Sequence, residues 1–269
     1  MHALLIRVIS PYDKLTIRKE KDYEMITFLT SSIGGSYKKD GKRYPTLLLS
    51  ISGFNDQLKK YWKEYANVLV ISASPEEWER NDSIHNILQI AFPMSGLSIN
   101  LFEICDSRSV GLADQINRFD VVILAGGHVP TQNKFFEQLG LKKILEDYDG
   151  LVIAWSSGTM NCAEVVYALP ELDGEGIDTN YTRFMNGLGI TKQMVIPHFQ
   201  DASSEIVDGM RVIEDIVYPD SMGREFLALN DGSYIINSNG TEVLFGEAYL
   251  IKNGCMEQIC EQNKFVQIN

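Results

Sequence analysis

The chain of 269 residues predicts an α/β fold. The expected form is a three-layer α/β/α sandwich around a mainly parallel central sheet, with antiparallel edge strands near the C-terminus. Three observations predict it. Apolar runs alternate with helix-period segments from residue 25 onward. Those runs are rich in β-branched residues and lack an apolar/polar alternation, so they suit strands covered on both faces. Within the stretch 120–167, two of them each break into a small-residue turn followed by a helical pattern, the βα unit of an open parallel sheet.

Taken in order, residues 1–24 predict an extra strand and a connector, and 25–269 a single domain. The charged run Arg18-Lys19-Glu20-Lys21-Asp22 reads as a solvated linker. A buried first strand is expected at 25–32. A surface loop follows at 33–45, carrying Tyr37 and Tyr44. Helical character at 55–65 leads to a second strand at 67–74. Ser74 and Pro75 look like the cap and first position of a helix reaching residue 91. A third strand is expected at 99–104, a short helix at 109–119, and then the two strands Val121–Leu124 and Leu151–Trp155. Beyond an acidic loop at 169–180, a short strand ends at Val195-Ile196-Pro197-His198-Phe199, and 203–217 is polar with helical character. Asp231-Gly232 and Asn239-Gly240 are hairpin turn signals between the last strands.

Hydrophobic residues make up 45% of the chain and charged residues 22%, an ordinary globular balance. A formal net charge of −12 argues against a nucleic-acid partner, because no cation excess exists to displace counterions from phosphates. No apolar stretch approaches a membrane span, and the first apolar run is too short for a signal peptide, so a soluble cytoplasmic protein is expected. The four cysteines, Cys105, Cys162, Cys255 and Cys260, lack metal-ligand spacing. No metal or other cofactor is expected.

The chemistry is concentrated at Ala154-Trp155-Ser156-Ser157-Gly158, a G-x-S-x-G elbow with alanine at its first position. In such an elbow the strand breaks sharply into a helix and lifts the serine hydroxyl above the sheet edge. The earlier turn, Ala125-Gly126-Gly127-His128, lies where a second backbone donor for an oxyanion is wanted. Serine needs a base, and histidine is the usual one. Of four histidines, His2 is terminal and His85 lies in a helical segment, which leaves His128 and His198. The acidic loop offers Glu171, Asp173, Glu175 and Asp178 as the group that orients the imidazole.

The segments LAGGHVPTQ, AWSSGTMNCA and VIPHF, in this order, resemble the glycine-rich turn, serine elbow and N-P-H-F motif of the peptidase E (aspartyl dipeptidase) and cyanophycinase family. The likeness spans roughly residues 25–250. It implies a class I glutamine amidotransferase-like, flavodoxin-like fold and a serine peptidase acting on small peptides or a related amide. Ser156 would be the nucleophile and His198 the base, with the backbone N–H groups of Gly127 and Ser157 as the oxyanion hole. The triad acid would fall on Glu171, with Asp173 as the second choice. Arg211 is the counterpart of the family's substrate-binding cation, although it also suits a surface pairing with Glu214 or Asp215, and the extra imidazole of His128 is a second candidate for binding substrate. The chain departs from the family pattern at Ala125, His128, Ala154, Ser157 and Thr159, none of which removes a catalytic atom. Glutamine amidotransferases use a cysteine at the elbow, and Cys162 lies over a turn beyond it. The competing reading is an amidotransferase-like binding module without peptidase activity.

Overall fold

The computed structural model describes Arg7–Val8 and residues 25–269; the charged run at 18–22 lies outside them. The first strands are β1 (Arg7–Val8), β2 (Ile26–Thr30), β3 (Gly34–Lys39), β4 (Lys42–Leu48), β5 (Ala66–Ile71) and β6 (Ile99–Cys105). Next come β7 (Val121–Leu124), β8 (Leu151–Trp155), β9 (Val165–Tyr167), β10 (Phe184–Asn186), β11 (Met194–Ile196), β12 (Ile206–Val207) and β13 (Met210–Arg211). The last are β14 (Glu225–Leu229), β15 (Tyr234–Ser238), β16 (Thr241–Phe245), β17 (Ala248–Lys252), β18 (Cys255–Cys260) and β19 (Phe265–Gln267). The helices are α1 (Phe54–Lys59), α2 (Trp78–Met94), α3 (Val129–Leu139), α4 (Leu141–Glu146), α5 (Ser157–Asn161), α6 (Phe199–Ala202) and α7 (Tyr218–Asp220).

The central sheet has the order β1-β19-β16-β15-β2-β8-β7-β5-β6. From β2 to β6 every neighbouring pair is parallel. From β2 toward β1 every pair is antiparallel. Successive residues of the parallel strands enter two different cores. Phe28, Val70, Ile123 and Ile153 pack with Phe54 and Leu58 of α1 and Leu88 and Phe92 of α2. Leu29, Leu69, Val122 and Val152 pack with Phe135 and Phe136 of α3 and Leu141 and Leu145 of α4. Each such side chain gains about 1.5–3 kcal/mol from burial, so a polar residue on either face would be costly. This is the physical reason for the unbroken apolar runs, and it makes the three layers.

A second sheet, β11-β14-β17-β18, stands beside the first. Its β11 and β14 run parallel, with Ile196 opposite Ala228. Ile196, Phe226 and Ala228 share a third core with Val129 of α3 and Met160 of α5, which docks this sheet against the elbow region.

Several local expectations are corrected. The segment 33–45 is not a loop: β3 and β4 form a hairpin closed at Asp40-Gly41, where both φ angles are positive (48° and 77°), as a tight hairpin turn requires. Its cross-strand tyrosines, Tyr37 and Tyr44, stack at 5.7 Å. Helix α2 begins at Trp78 rather than Pro75, because Ser74–Glu77 closes a turn first (Glu77 N–H to Ser74 O, 3.0 Å). The segment 203–217 is only partly helical. Asp208 (φ 52°) and Gly209 (φ 78°) turn β12 back on β13, and a short π-helical segment, Val212–Val217, follows. Asn239-Gly240 does close the hairpin β15–β16. Asp231-Gly232 does not close one: β14 belongs to the second sheet and β15 to the central sheet, so the chain changes sheets there.

Candidate active site

Ser156 sits between β8 and α5 with φ 53° and ψ −122°. This is a costly conformation for a residue with a Cβ, on the order of 1–3 kcal/mol, and it persists only where surroundings hold it. Two hydrogen bonds do so: the Ser156 N–H points at Thr30 O (3.1 Å) and Ser31 O (3.2 Å), just past the end of β2. The small residues nearby are needed for close approach. A Cβ on Gly158 would lie 2.3 Å from Leu124 O, so only glycine lets α5 start this close to β7. A Cβ on Gly126 would meet Trp155 Nε1 at 2.4 Å and Ser156 Cβ at 3.0 Å, which places the Gly126 backbone directly against the nucleophile candidate.

His198 and Asp231 meet because their strands run parallel. Ile196 of β11 pairs with Ala228 of β14, and the two chains leave the sheet at the same end. His198 then adopts φ 129°, far from the usual range for a side-chain-bearing residue, and its Nδ1 lies 2.9 Å from Asp231 Oδ1. The Ser31 hydroxyl donates to the same oxygen at 2.7 Å. Burial pushes the Asp231 carboxyl up, but the hydrogen bonds from His198 and Ser31 outweigh it and hold the group below the usual carboxylate range. An ionised carboxylate only accepts, so the proton of a neutral His198 ring sits on Nδ1 and Nε2 keeps its lone pair. Among the described residues, the hydrogen bond of the His198 ring is the one to Asp231.

The carboxylate hydrogen-bonded to His198 is thus Asp231, not Glu171 or Asp173, where the resemblance put the acid. Asp231 was visible in the sequence only as half of a turn signal. What marks it is three-dimensional: it follows β14, the parallel neighbour of the strand that precedes His198, and it precedes β15, which pairs with β2. Glu171 is a neighbour of His198 rather than its hydrogen-bonded partner. Loss of hydration around its carboxyl, with Glu175 adding repulsion, pushes it up to about 7. The residue as a whole stays exposed, so water screens much of this effect.

A buried polar network supports the elbow from below. The Ser157 hydroxyl donates to Gln132 Oε1 (2.8 Å) and accepts the Gly127 N–H (2.8 Å). Asn161 Nδ2 donates to Gln132 Oε1 (3.1 Å) and Ser157 O (3.1 Å). Thr159 Oγ1 joins β2 to β8 through Thr30 O (2.8 Å) and Ala154 O (3.0 Å). Ser157, Thr159, Gln132 and Asn161 are fully buried, so these bonds are needed to offset lost hydration. Ser157 and Thr159, departures from the family pattern, are thus structural. The expected role of Gly127 changes with them: its N–H is engaged by Ser157, whereas those of Ser157 and Gly126 bond to nothing among the described residues.

The two expected substrate-binding residues both have protein partners. His128 stands at the N-cap position of α3 without a side-chain bond to the helix backbone; its Nδ1 lies 2.8 Å from Thr131 Oγ1 and its Nε2 2.8 Å from Glu175 Oε1. Glu175 also accepts the N–H groups of Glu171 (2.9 Å) and Leu172 (3.1 Å), so His128 ties the acidic loop to the glycine turn. Arg211 is exposed and bound to Asp215 through its backbone N–H (2.8 Å), Nε (3.1 Å) and Nη2 (2.8 Å), the surface pairing its spacing allowed. Cys162 is fully buried, which pushes its thiol far up and keeps it from the reactive thiolate form. Among the described residues, no cluster of three or more His, Cys, Asp or Glu is arranged to hold a metal ion, and no helix is long and apolar enough to cross a membrane.

No protein-family model matches the chain, and no match is found among curated proteins. Solved structures do match. A peptidase from an acI-B1 Actinobacterium superposes with TM-score 0.62 at 12% identity, covering 88% of this chain and 95% of that one. A protein from Listeria monocytogenes EGD-e, provisionally described as peptidase E, superposes with TM-score 0.53 at 14% identity, covering 82% of this chain and 97% of that one. Superposition over most of the chain at such low identity is a likeness of backbone, and it shows that this chain has a peptidase E-like fold.

Proposed function

We propose that the protein is a serine peptidase that hydrolyses short peptides, or a related small amide, through Ser156, His198 and Asp231. The observation that carries this reading is the His198–Asp231 pair, which leaves Nε2 as a base on the side away from the acid. Ser156 in its strained elbow conformation supplies the nucleophile. The name of the neighbouring folds, peptidase, agrees with it.

In the reaction, Ser156 Oγ attacks the substrate carbonyl carbon while His198 Nε2 takes the hydroxyl proton. Asp231 holds the ring and stabilises the imidazolium. The oxyanion is received by the Ser157 N–H and, from the glycine turn, by the Gly126 N–H, since that of Gly127 is engaged. Each such donor typically contributes about 3–4 kcal/mol to the transition state. The C–N bond then breaks and His198 protonates the leaving amine. Water attacks the acyl-enzyme by the same route, giving the free acid and restoring Ser156. The acidic loop held by His128 and Glu175 crowds the glycine-turn side, which suits short substrates. Residues 25–269 act as one unit in this reading, in the cytoplasm, where buried free thiols such as Cys105 and Cys162 are stable.

A fluorophosphonate probe tests the nucleophile, and amine release from a dipeptide and tripeptide library tests the substrate. Labelling of Ser156 that is lost in Ser156→Ala, with peptide turnover, supports the proposal. Labelling at Cys162, or a folded protein inert to the probe, overturns it in favour of a binding module. Labelling without turnover of any peptide redirects it to another ester or amide.

A further inference from the structure

We propose that Ser31 is a positioning residue that sets the His198–Asp231 pair in register with Ser156. This rests on the triad reading above. Ser31 is fully buried and lies one residue past the end of β2, between the two halves of the site. Its carbonyl accepts the Ser156 N–H at 3.2 Å, and its own N–H donates to Ser233 O at 3.2 Å. Its hydroxyl donates to Asp231 Oδ1 at 2.7 Å, on the oxygen that also faces His198 Nδ1.

The topology explains why such a link is needed. Ser156 is delivered by the central sheet, next to β2. His198 and Asp231 are delivered by the second sheet, from β11 and β14. A reaction that moves a proton between Ser156 and His198 requires the two sheets to hold a fixed relation, since a misplacement of about 1 Å can cost on the order of 10²-fold in rate. Ser31 bonds to both: by backbone to the nucleophile and by side chain to the acid. Only the hydroxyl bond is lost on substitution, because the two main-chain bonds are common to any residue at this position.

The hydroxyl also has an electrostatic part. It donates to a carboxylate that carries full negative charge, and in doing so draws some of that charge away from His198. Removing it leaves Asp231 a stronger acceptor for the imidazolium, so the protonated base is favoured. Glu171 also acts on this base, and itself feels Glu175 and Glu205; none of the three is altered by a change at Ser31. Gln200 Oε1 accepts the Asp231 N–H at 3.0 Å and keeps the Asp231 backbone in place when the hydroxyl is gone.

The test compares wild type, Ser31→Ala and Ser31→Thr, each checked for folding by circular dichroism. Turnover is followed across pH on the peptide that wild type cleaves best. Ser31→Ala is expected to lose about 10- to 100-fold in kcat/KM, the scale of one hydrogen bond to a charged group. The acid limb of its kcat/KM profile is expected to move to higher pH. Ser31→Thr keeps a hydroxyl and is expected to recover most of the loss and return the limb. An active wild type with Ser31→Ala within twofold of it and an unmoved limb overturns the role of Ser31 while leaving the triad. Equal losses in both variants, with the limb unmoved, reduce Ser31 to packing and also overturn it. A wild type inert to both probe and peptides takes down the triad reading and this inference together.

Discussion

His198 Nδ1 and Asp231 Oδ1 lie 2.9 Å apart although 33 residues separate them, because each lies just beyond the end of one of two parallel neighbours, β11 and β14. A carboxylate in that position fixes the tautomer of the ring, and an amide there would stabilise the wrong one. Asp231→Asn is therefore expected to lower kcat by about 10³- to 10⁴-fold with KM little changed. Glu171→Gln should stay within about fivefold of wild type, since Glu171 is a neighbour of His198 rather than its bonded partner. Steady-state kinetics on a cleaved peptide checks both. The reverse pattern would return the acid to Glu171.

The fold was largely legible in the sequence. Runs such as Val121–Leu124 and Leu151–Trp155 are buried on both faces, and that burial writes itself as unbroken hydrophobicity. The elbow was legible too, because Gly158 is required by a backbone contact with Leu124 that no other residue permits. Asp231 was not. An Asp-Gly pair signals a turn whether the strands on either side share a sheet or belong to two, and local pattern carries no information on which. The bond at Gly127 was illegible for a related reason: a backbone N–H has no residue type, so the engagement of this donor by Ser157 appears only in three dimensions.

Glu171 should make stability depend on pH in an unusual direction. Its folded-state carboxyl is pushed up to about 7 by lost hydration and by Glu175, above its ordinary value of about 4.3 in an unfolded chain. Below the unfolded value the group is protonated in both states and costs nothing. Between there and about 7 the unfolded chain ionises first, so folding is increasingly disfavoured, and the cost is complete above 7. Glu171→Gln removes the titration. Its melting temperature should equal that of wild type near pH 4 and exceed it at pH 8, by a modest margin because the side chain is exposed. A difference of the same size at both pH values would assign the effect to packing.

Arg211 should be dispensable for catalysis. Its guanidinium is exposed and already holds Asp215 through two side-chain bonds. An exposed pair of this kind contributes little to stability, because water screens it. Arg211→Ala should leave KM within twofold for every peptide cleaved, acidic peptides included. A selective rise in KM for peptides with an acidic side chain would restore the substrate-binding role that the resemblance implied.

Ser157→Ala separates the structural work of the elbow from its chemical work. The hydroxyl is fully buried and sits between Gln132 Oε1 and the Gly127 N–H. Its removal leaves the half-buried Gly127 N–H without that partner, while Gln132 Oε1 still receives Asn161 Nδ2 at 3.1 Å. Losing the hydrogen bonds of this hydroxyl costs about 0.5–1.5 kcal/mol each, which chemical denaturation can resolve. The Ser157 N–H is part of the backbone and survives the substitution, so the oxyanion donor proposed there is unaffected. The Gly127 N–H, once released, becomes available as a further donor beside Gly126. Activity per folded molecule should consequently be equal to or greater than that of wild type while the denaturation midpoint falls. A kcat that drops 100-fold or more in a folded Ser157→Ala protein would mean that the hydroxyl itself takes part in the reaction, and the assignment of Ser157 as a structural side chain would have to be withdrawn.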